Sequence, residues 1–160
     1  MKRAALCFCI KEENGKISDV LLLKKKVGFS KDKWNGSGGI VKNENQDVDD
    51  YMYEETQKQT GIILKNYEKV AELNFVFPKK NEQSHLAHIY LCRKWEGEPK
   101  ETDEAKPQWF KVEDIPYNDM FPADIFWLPK IMTGKLIKVI VVYDNDMTIL
   151  DQVTDTVDKI

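Results

Sequence analysis

A cluster of glycines followed by an acidic helix constrains this chain more than any other sequence feature. The glycines lie in the segment Trp34–Gly39, and a helix is predicted over 47–60, with Gly61 as its stop signal. Clustered glycines let the backbone approach a ligand or metal closely, and the helix after them can present acidic side chains back toward it. Glu55 and Gln59 are four residues apart and therefore share one helix face. The same pattern is also typical of a glycine-rich turn before an ordinary surface helix.

Composition limits the kind of ligand. The 160 residues are about the size of one domain, and with 42% hydrophobic and 32% charged residues the chain can bury a core. A net charge of -3 argues against a nucleic-acid polymer, whose binding sites usually carry a basic excess. We therefore expect a monomer that binds a small molecule. Only about eight apolar residues precede Lys11, too few for a membrane span, so we expect a cytoplasmic protein without a membrane partner.

Hydrophobic alternation and turn residues predict an α/β domain. We expect a glycine-rich loop up to Gly39 and a mixed sheet with one helix on each face. His85 and His88 are three apart on a predicted strand and should face opposite sides, so neither is assigned a role. The predicted strands cover 3–11, 20–23, 69–77, 86–93, 108–112, 138–143 and 148–151, and a second helix covers 123–133 despite Pro129.

The residues from Gly39 onward resemble the Nudix box, Gly-x5-Glu-x7-Arg-Glu-apolar-x-Glu-Glu-x-Gly-apolar. More narrowly, the chain resembles the MutT homologues that hydrolyse oxidised purine nucleoside triphosphates. The resemblance implies a Nudix fold, with a mixed sheet sandwiched between α-helices, as a single domain over 1–160. The matches, in order, are Lys24-Lys25, Gly28-Phe29, Trp34-Asn35-Gly36-x-Gly38-Gly39, Asp103-Glu104, Pro107-x-Trp109-Phe110, Ile115-Pro116, Asp119-Met120-x-Pro122, Asp124, Trp127-x-Pro129 and Thr148-Ile149-Leu150-Asp151.

The box departs from the family pattern in its helix. Aligning it at Gly61 requires one extra residue in the loop after Gly39. Glu55 then takes the position of the first helix glutamate, while Lys58 and Gln59 replace the paired glutamates.

A second register, without the extra residue, is also open. It puts Glu54 on the first glutamate and Gln57-Lys58 on the pair. It also misplaces Gly61 relative to the family's final glycine. We therefore prefer the register with the extra residue.

The resemblance implies a Mg²⁺ site on the helix. In such enzymes the helix carboxylates hold Mg²⁺ on the phosphates. Here the implied ligands are the Gly39 carbonyl, Glu55, Gln59 through its amide oxygen, and Glu104, with Glu55 also the catalytic residue. Mg²⁺ prefers anionic oxygen ligands, so the loss of the glutamate pair predicts weak metal binding. Lys58 adds a positive charge where a second cation would lie and is a possible substitute for it.

The resemblance also implies a nucleobase pocket. Asn35 and Asp124 match the residues that hydrogen-bond the purine edge. A neighbouring family aspartate is Ala123 here, so we expect poor discrimination between oxidised and normal guanine nucleotides. Trp127 is the best stacking candidate, although core packing is the commoner role of any single aromatic residue. Lys25 matches a lysine on the substrate side, but lysines in a run of three are usually solvated. The remaining substrate-binding candidates are Phe29, Gly38, Phe75 and Phe121.

Two functions follow. The first is a Nudix hydrolase that cleaves a purine nucleoside triphosphate to the monophosphate and pyrophosphate, with a weakened Mg²⁺ site. The second is a pseudo-hydrolase that keeps the pocket but has lost turnover, in which Lys58 neutralises phosphate charge directly. The substitutions in the box favour the second function, and the rest of the sequence favours neither.

Overall fold

Nine strands and two α-helices account for most of residues 1–160, all of which the computed structural model describes. Short 3₁₀ turns lie at Asn81–Gln83, Val112–Asp114 and Tyr117–Asp119. The strands are β1 Lys2–Glu13, β2 Lys16–Lys25, β3 Trp34–Asn35, β4 Ser37–Val41, β5 Ile63–Val76, β6 His85–Glu96, β7 Ala105–Lys111, β8 Leu136–Tyr143 and β9 Ile149–Val157, and the helices are α1 Val48–Thr60 and α2 Asp124–Met132.

The strands form one mixed sheet in the order β3-β2-β1-β6-β5-β8-β9, with β4 paired to β1 and β7 to β2. The pairs β1–β6 and β5–β8 are parallel, and the others are antiparallel. On one side β1 changes its partner, because Arg3–Cys7 pairs with β4 and Ile10–Glu13 pairs with β2. The chain can therefore leave β2, form a loop and return as β4, which pairs with the other half of β1.

Apolar side chains cover both faces of the sheet. Successive residues of β1 alternate between two buried clusters, since neighbouring side chains in a strand point to opposite faces. Phe8 belongs to the larger cluster, which α2 covers with Trp127 and Leu128. Cys9 belongs to the smaller cluster, which α1 covers with Met52. The predicted mixed sheet with a helix on each face is thus confirmed. No helix of the chain is both long and apolar enough to span a membrane.

Both ends of α1 are set by local chemistry. Asp47 caps its start, since the carboxylate accepts hydrogen bonds from the Asp49 and Asp50 amides at 2.8 and 3.2 Å. Gly61 ends it in the left-handed conformation, at φ 81°, and donates its N–H to the Gln57 carbonyl. The predicted helix over 47–60 is confirmed to within one residue, and this fixes which side chains of α1 face the sheet.

The predicted glycine-rich loop was wrong. Residues 34–35 and 37–41 are strands β3 and β4, paired with β2 and β1. Glycine disfavours strands, but here close packing overrides that preference. A Cβ on Gly38 would lie 2.0 Å from the Ala5 carbonyl oxygen of β1. The two strands can approach only because no side chain is present at that position.

Most of the other strands were predicted too short, among them β2, which spans Lys16–Lys25 rather than 20–23, and the differences at a single end are largest in β5 and β9. β5 begins at Ile63 rather than 69, and β9 continues to Val157 rather than 151. Polar side chains in the added segments hide the hydrophobic alternation, because those segments lie toward solvent and bury few residues. The second helix formed as predicted, with Pro129 inside it. The carbonyl left without its bond by Pro129 belongs to Ile125, which is exposed and can be hydrated.

Replacing Gly38 with alanine should destabilise the protein severely. The added methyl would overlap the Ala5 carbonyl, and φ is 118°, which side chains rarely adopt. We expect the free energy of unfolding, measured by urea titration, to fall by ~3 kcal/mol or more. Gly134 has a comparable positive φ of 88° but open space around it, so Gly134→Ala is the matched control and should cost about 1–2 kcal/mol. Equal losses in the two variants would contradict the close β1–β4 contact.

Candidate functional site

One cleft collects most of the predicted site residues. It has a volume of about 280 Å³ and lies over β1 and β4, between α1 and the start of α2. One end is polar and is formed by α1, the β4 glycines and Glu104. The other end is lined mainly by aromatic side chains. The sequence-predicted residues that line the cleft are Lys25, Phe29, Asn35, Gly38, Gly39, Glu55, Gln59, Phe75, Glu104, Phe121, Asp124 and Trp127.

The polar end is organised by the side-chain amide of Gln59. Its Oε1 accepts hydrogen bonds from the Gly38 N–H at 2.9 Å and from the Lys25 ammonium at 3.1 Å. Its Nε2 donates to the Gly38 carbonyl at 2.8 Å and to Glu55 Oε1 at 3.2 Å. The two donors facing Oε1 fix the orientation of the amide. The amide therefore joins α1 to β4, and its polar atoms are already paired within the protein.

A buried pair of hydroxyls supports the same contact. Ser37 and Thr56 approach to 2.7 Å between their Oγ atoms, and both side chains are buried between β4 and α1. Thr60 Oγ1 donates to the Thr56 carbonyl one turn earlier, so the second hydroxyl of this helix face is also satisfied. Buried hydroxyls are tolerated when they are hydrogen-bonded. The helix is thus held against the glycine strand by polar as well as apolar contacts.

Lys25 is buried, which overturns the expectation that a lysine in a run of three is solvated. It is 5% exposed and lies on the inward side of β2, while Lys24 points outward. Its ammonium donates to the Gly38 carbonyl at 3.2 Å as well as to Gln59. Burial lowers the pKa of Lys25 to about 8, and the negative charges of Glu55 and Glu104 oppose that shift. The polar end of the cleft thus contains a fixed internal cation.

Glu104 reaches the polar end from the loop before β7. Thr102 anchors this loop, since its hydroxyl donates to the Gln59 carbonyl at 2.9 Å and accepts from the Glu104 amide at 3.2 Å. Glu104 Oε1 lies 3.6 Å from the Lys58 ammonium. Glu104 Oε2 is buried and has no hydrogen-bond partner. A buried carboxylate oxygen without a partner is costly, so this atom is available to a cation or donor that enters the cleft.

Lys58 itself does not line the cleft. Its side chain is 66% exposed, and it affects the polar end only through Glu104. Tyr51, which the sequence reasoning missed, does line the cleft, and its hydroxyl lies 3.2 Å from where a Cβ of Gly39 would be. Burial, with the charges of Glu55 and Glu104, raises the pKa of Tyr51. The tyrosine therefore stays protonated and can act as a hydrogen-bond donor.

The aromatic end is built around Phe29, which is 48% exposed at the rim. Its ring stacks on that of Phe121, with 5.4 Å between centroids and 27° between planes, and meets the ring of Phe77 edge-on at 6.5 Å. Phe75 is buried beneath and stacks on Tyr143 at 6.0 Å. These rings form an apolar slot that suits a flat, planar group.

Asp124 is the buried polar group at this end. Its Oδ1 accepts from the Trp127 indole N–H at 3.1 Å, and its Oδ2 accepts from the Phe121 amide at 3.2 Å. Burial raises the pKa of Asp124 to about 7, against the effect of these two hydrogen bonds and of the Lys33 charge. Trp127 is only 1% exposed and packs edge-on against Phe8. Most of the Trp127 ring therefore belongs to the core, and only part of it faces the cleft.

Asn35 completes the group of polar side chains near the aromatic end. Its Oδ1 accepts from the Gly36 N–H at 2.8 Å, and its Nδ2 donates to the Ser30 hydroxyl at 3.4 Å. The short bond to Gly36 fixes which amide atom is oxygen. The long bond to Ser30 leaves the amide N–H groups available for a ligand.

Comparison with known proteins identifies the family. A profile of the NUDIX domain matches residues 1–130. The oxidized purine nucleoside triphosphate hydrolases of Danio rerio and Mus musculus are 35% and 34% identical over 116 residues, which cover 72% of this chain and 73% of each relative. This chain belongs to the Nudix family.

The fold agrees with that assignment. The crystal structure of a mutator MutT protein from Bacillus halodurans superposes with a TM-score of 0.79 at 22% identity, covering 97% of this chain and 98% of that one. At this identity the superposition speaks for the fold alone. Because nearly all of both chains is covered, the Nudix fold extends through β8 and β9, beyond the residues that the profile matches.

The positions of the helix side chains favour the register of the Nudix box with one extra loop residue. Glu55 and Gln59 line the cleft, whereas Glu54 and Gln57 are exposed outside it. Glu54 instead accepts a hydrogen bond from Gln46 at 3.0 Å. The register without the extra residue would place Glu54 and the pair Gln57-Lys58 in solvent.

His85 is another polar cleft residue that sequence reasoning missed. The two histidines do face opposite sides of β6, but the side of His85 is the cleft, where it lies against Phe29 and Phe75. His88 lies on the other side, 3.9 Å from Glu72. Alternation along β6 predicts that the two histidines point in opposite directions. Only the position of the cleft shows that His85, and not His88, lines it.

The buried Asp124 predicts a specific pH dependence. An ordinary aspartate ionises near pH 3.8, whereas Asp124 in the folded protein ionises near pH 7. Between these values the folded state holds the proton more tightly, so the stabilisation is complete below pH 3.8 and is lost as pH rises through 7. The Tm of the parent should therefore fall relative to that of Asp124→Asn between pH 5 and pH 8. A loss of about 1 kcal/mol corresponds to ~2–4 °C in a chain of this size.

The control for this experiment is Asp119→Asn, which removes an exposed carboxylate five residues earlier. Its Tm should follow that of the parent across the same pH range. A constant difference in Tm between the parent and Asp124→Asn would contradict the buried, proton-binding Asp124.

Proposed function

We propose that this chain hydrolyses purine nucleoside triphosphates, oxidised ones among them, to the monophosphate and pyrophosphate. The observation that carries the proposal is a single cleft whose two ends suit the two parts of a nucleotide. An apolar aromatic slot with Asn35 and Asp124 suits a purine base, and the end with Lys25, Glu55 and Glu104 suits phosphates and a cation. The curated relatives named as oxidized purine nucleoside triphosphate hydrolases support the same reaction.

At the aromatic end, we propose that Asn35 and Asp124 hydrogen-bond the edge of the base. Each Asp124 oxygen accepts one hydrogen bond in the protein, which leaves a second lone pair on each. With a pKa near 7, Asp124 can either accept or donate a hydrogen bond around neutral pH. Phe29 and Phe121 cover the base, with Phe75 and the exposed part of Trp127 as the floor.

At the polar end, the residues fit a weakly held Mg²⁺ ion. Glu104 Oε2 is buried without a partner, and Glu55 supplies a second carboxylate. Gln59 contributes less to Mg²⁺ binding than its position in the Nudix box implies, because its side-chain oxygen already accepts two hydrogen bonds. The chain has no group of three His, Cys, Asp or Glu side chains that could hold a metal. Mg²⁺ is often held by one or two carboxylates together with substrate phosphates, and we propose that case here, with Gly39 as the backbone ligand.

When bound, Mg²⁺ would neutralise and template the phosphates. The side chains of the cleft have separate tasks. The Lys25 ammonium has three N–H donors and uses two of them on Gly38 and Gln59, which leaves the third for a phosphate oxygen. Glu55 accepts from Gln59 with one oxygen, and its other oxygen is free to take a proton from the attacking water. We therefore propose Glu55 as the general base and Lys25 as the fixed phosphate ligand.

A specific observation also favours the second function, a pseudo-hydrolase. The Gln59 amide is fully paired, and its oxygen accepts from the Lys25 ammonium and the Gly38 N–H, so protein donors occupy a position that an incoming cation would use. Lys58 adds a second positive charge beside Glu104. Such a site could hold phosphates without turnover. In either case, we propose a cytoplasmic monomer with one Nudix domain that binds small nucleotides. As a hydrolase, it would take part in nucleotide-pool sanitation.

Rebuilding the paired glutamates distinguishes the two functions. Gln59→Glu exchanges a donor to the Gly38 carbonyl for a negative charge beside Lys25, Glu55 and the cation site. We expect Mg²⁺-dependent pyrophosphate release from dGTP to rise at least tenfold, about 1.4 kcal/mol in the barrier. Lys58→Glu should add less, because Lys58 is largely exposed and charges near solvent are screened. In the double variant, adding Glu55→Ala should abolish the gain.

The matched control is Glu54→Ala, which removes the neighbouring carboxylate on the exposed side of α1. It should leave pyrophosphate release unchanged. If the parent releases pyrophosphate in a Mg²⁺- and Glu55-dependent reaction, it is a hydrolase. If only the rebuilt variants do so, while the parent still binds the nucleotide, it is a pseudo-hydrolase. If neither the parent nor any variant binds or hydrolyses purine triphosphates, the proposed function is wrong.

A further inference from the structure

His85 is held rigidly at the aromatic end of the cleft. It is the first residue of β6, lies on the same side as Ala87, and is 7% exposed. The Phe29 ring meets it edge-on with 5.9 Å between centroids, and the Phe75 ring lies tilted against it at 5.1 Å. Neither neighbouring ring offers it a hydrogen bond. The imidazole is therefore a polar group placed in an otherwise apolar part of the slot.

The hydrogen bond at one ring nitrogen determines the state of the other. Nδ1 of His85 lies 2.8 Å from the Gln83 carbonyl oxygen, which can only accept, so Nδ1 carries the proton. Burial lowers the pKa of His85, with a smaller contribution from the Lys2 charge, so the ring is neutral at pH 7. In that tautomer Nε2 has a lone pair and acts as an acceptor.

This acceptor has no partner in the protein. The only hydrogen bond of the His85 side chain is the one through Nδ1. The side-chain polar atoms that are both sealed from solvent and without a partner are Asn74 Oδ1 and Glu104 Oε2. Nε2 of His85 is not one of them, so it keeps some contact with solvent. Since His85 lines the cleft and Nε2 has no partner in the protein, a ligand bound in the cleft can supply that partner.

We infer that His85 determines base specificity by accepting, through Nε2, a hydrogen bond from an N–H group of the purine. The inference rests on the proposed function, because it assigns a contact within the same nucleotide site. A base that presents a ring nitrogen lone pair or a carbonyl oxygen to Nε2 would set two acceptors against each other. A base that presents an N–H would pair with Nε2. Proteins that bind a base outside a duplex usually recognise it by hydrogen bonds to its edge together with aromatic stacking.

Purines differ in the donors that they carry, and this defines the substrate class. Guanine has an N1–H and a 2-amino group, hypoxanthine lacks the amino group, and adenine has only a 6-amino group. Oxidation of guanine at C8 adds an N–H at N7, where normal purines have an acceptor. His85 therefore favours purines with a donor at the contacted position, and the contacted position decides whether oxidised bases are preferred.

Variants of His85 and the four corresponding nucleoside monophosphates test this contact. His85→Phe keeps a ring between Phe29 and Phe75 but removes both nitrogens, whereas His85→Gln keeps an acceptor at the end of the side chain. His88→Phe is the matched control, because it makes the same change on the opposite side of β6. Binding is measured by calorimetry without Mg²⁺, using GMP, IMP, AMP and GMP oxidised at C8. Monophosphates cannot be cleaved to pyrophosphate, so the polar end does not complicate the comparison.

We expect His85→Phe to lose roughly three- to tenfold in affinity for those monophosphates that carry the contacted donor, and to lose nothing for those that lack it. His85→Gln should retain part of the affinity, and His88→Phe should bind like the parent. A uniform loss for all four nucleotides, or no loss for any of them, overturns the inference, since a structural role would not depend on the base. If the parent binds none of the four, the inference is overturned, whereas the proposed function is decided separately by the binding and hydrolysis of purine triphosphates. If the parent binds the monophosphates but the loss in His85→Phe does not depend on the base, only the role of His85 is overturned.

Discussion

The pairing of the Gln59 side-chain amide with the Gly38 peptide is the contact on which the cleft depends. The two groups exchange hydrogen bonds in both directions, at 2.9 and 2.8 Å, as a backbone pair in a sheet would. Gly38 can take part only because its missing side chain lets β4 lie against the Ala5 carbonyl. The last turn of α1 is thereby fixed over the strand that supplies the cleft floor. Glu55, one turn earlier on the same helix, is positioned by the same contact.

An amide at position 59 also sets the electrostatics of the polar end. Its neutral oxygen accepts from both the Gly38 N–H and the Lys25 ammonium, while burial lowers the pKa of Lys25 to about 8 and the charges of Glu55 and Glu104 oppose that shift. A carboxylate there would form a buried ion pair with Lys25 and would leave the Gly38 carbonyl without one donor. Glutamine in place of the family's glutamate thus removes one negative charge from the metal site and leaves Glu55 and Glu104 as the charges that oppose the effect of burial on Lys25.

Sequence reasoning succeeded where local chemistry decides and failed where packing decides. The limits of α1 followed from Asp47 and Gly61, because capping uses only neighbouring residues. The strand that contains Gly38 was missed, since its pairing depends on a close approach to β1 that glycine propensity cannot indicate. The burial of Lys25 and the cleft position of His85 were missed for a related reason. Alternation along a strand gives opposite directions, but which direction leads into a cleft depends on the whole sheet.

One short segment of backbone, from β3 to β4, connects the two ends of the cleft. Asn35 in β3 and Gly38 in β4 are three residues apart, which corresponds to about 10 Å of extended backbone. The two ends of the cleft therefore share a single piece of chain, which pairs with β2 through β3 and with β1 through β4. No side chain joins Asp124 or His85 to Gln59 through a hydrogen bond. Because the connection is paired backbone, the side chain at position 59 can change without a direct effect on the hydrogen bonds of Asp124 and His85 at the aromatic end.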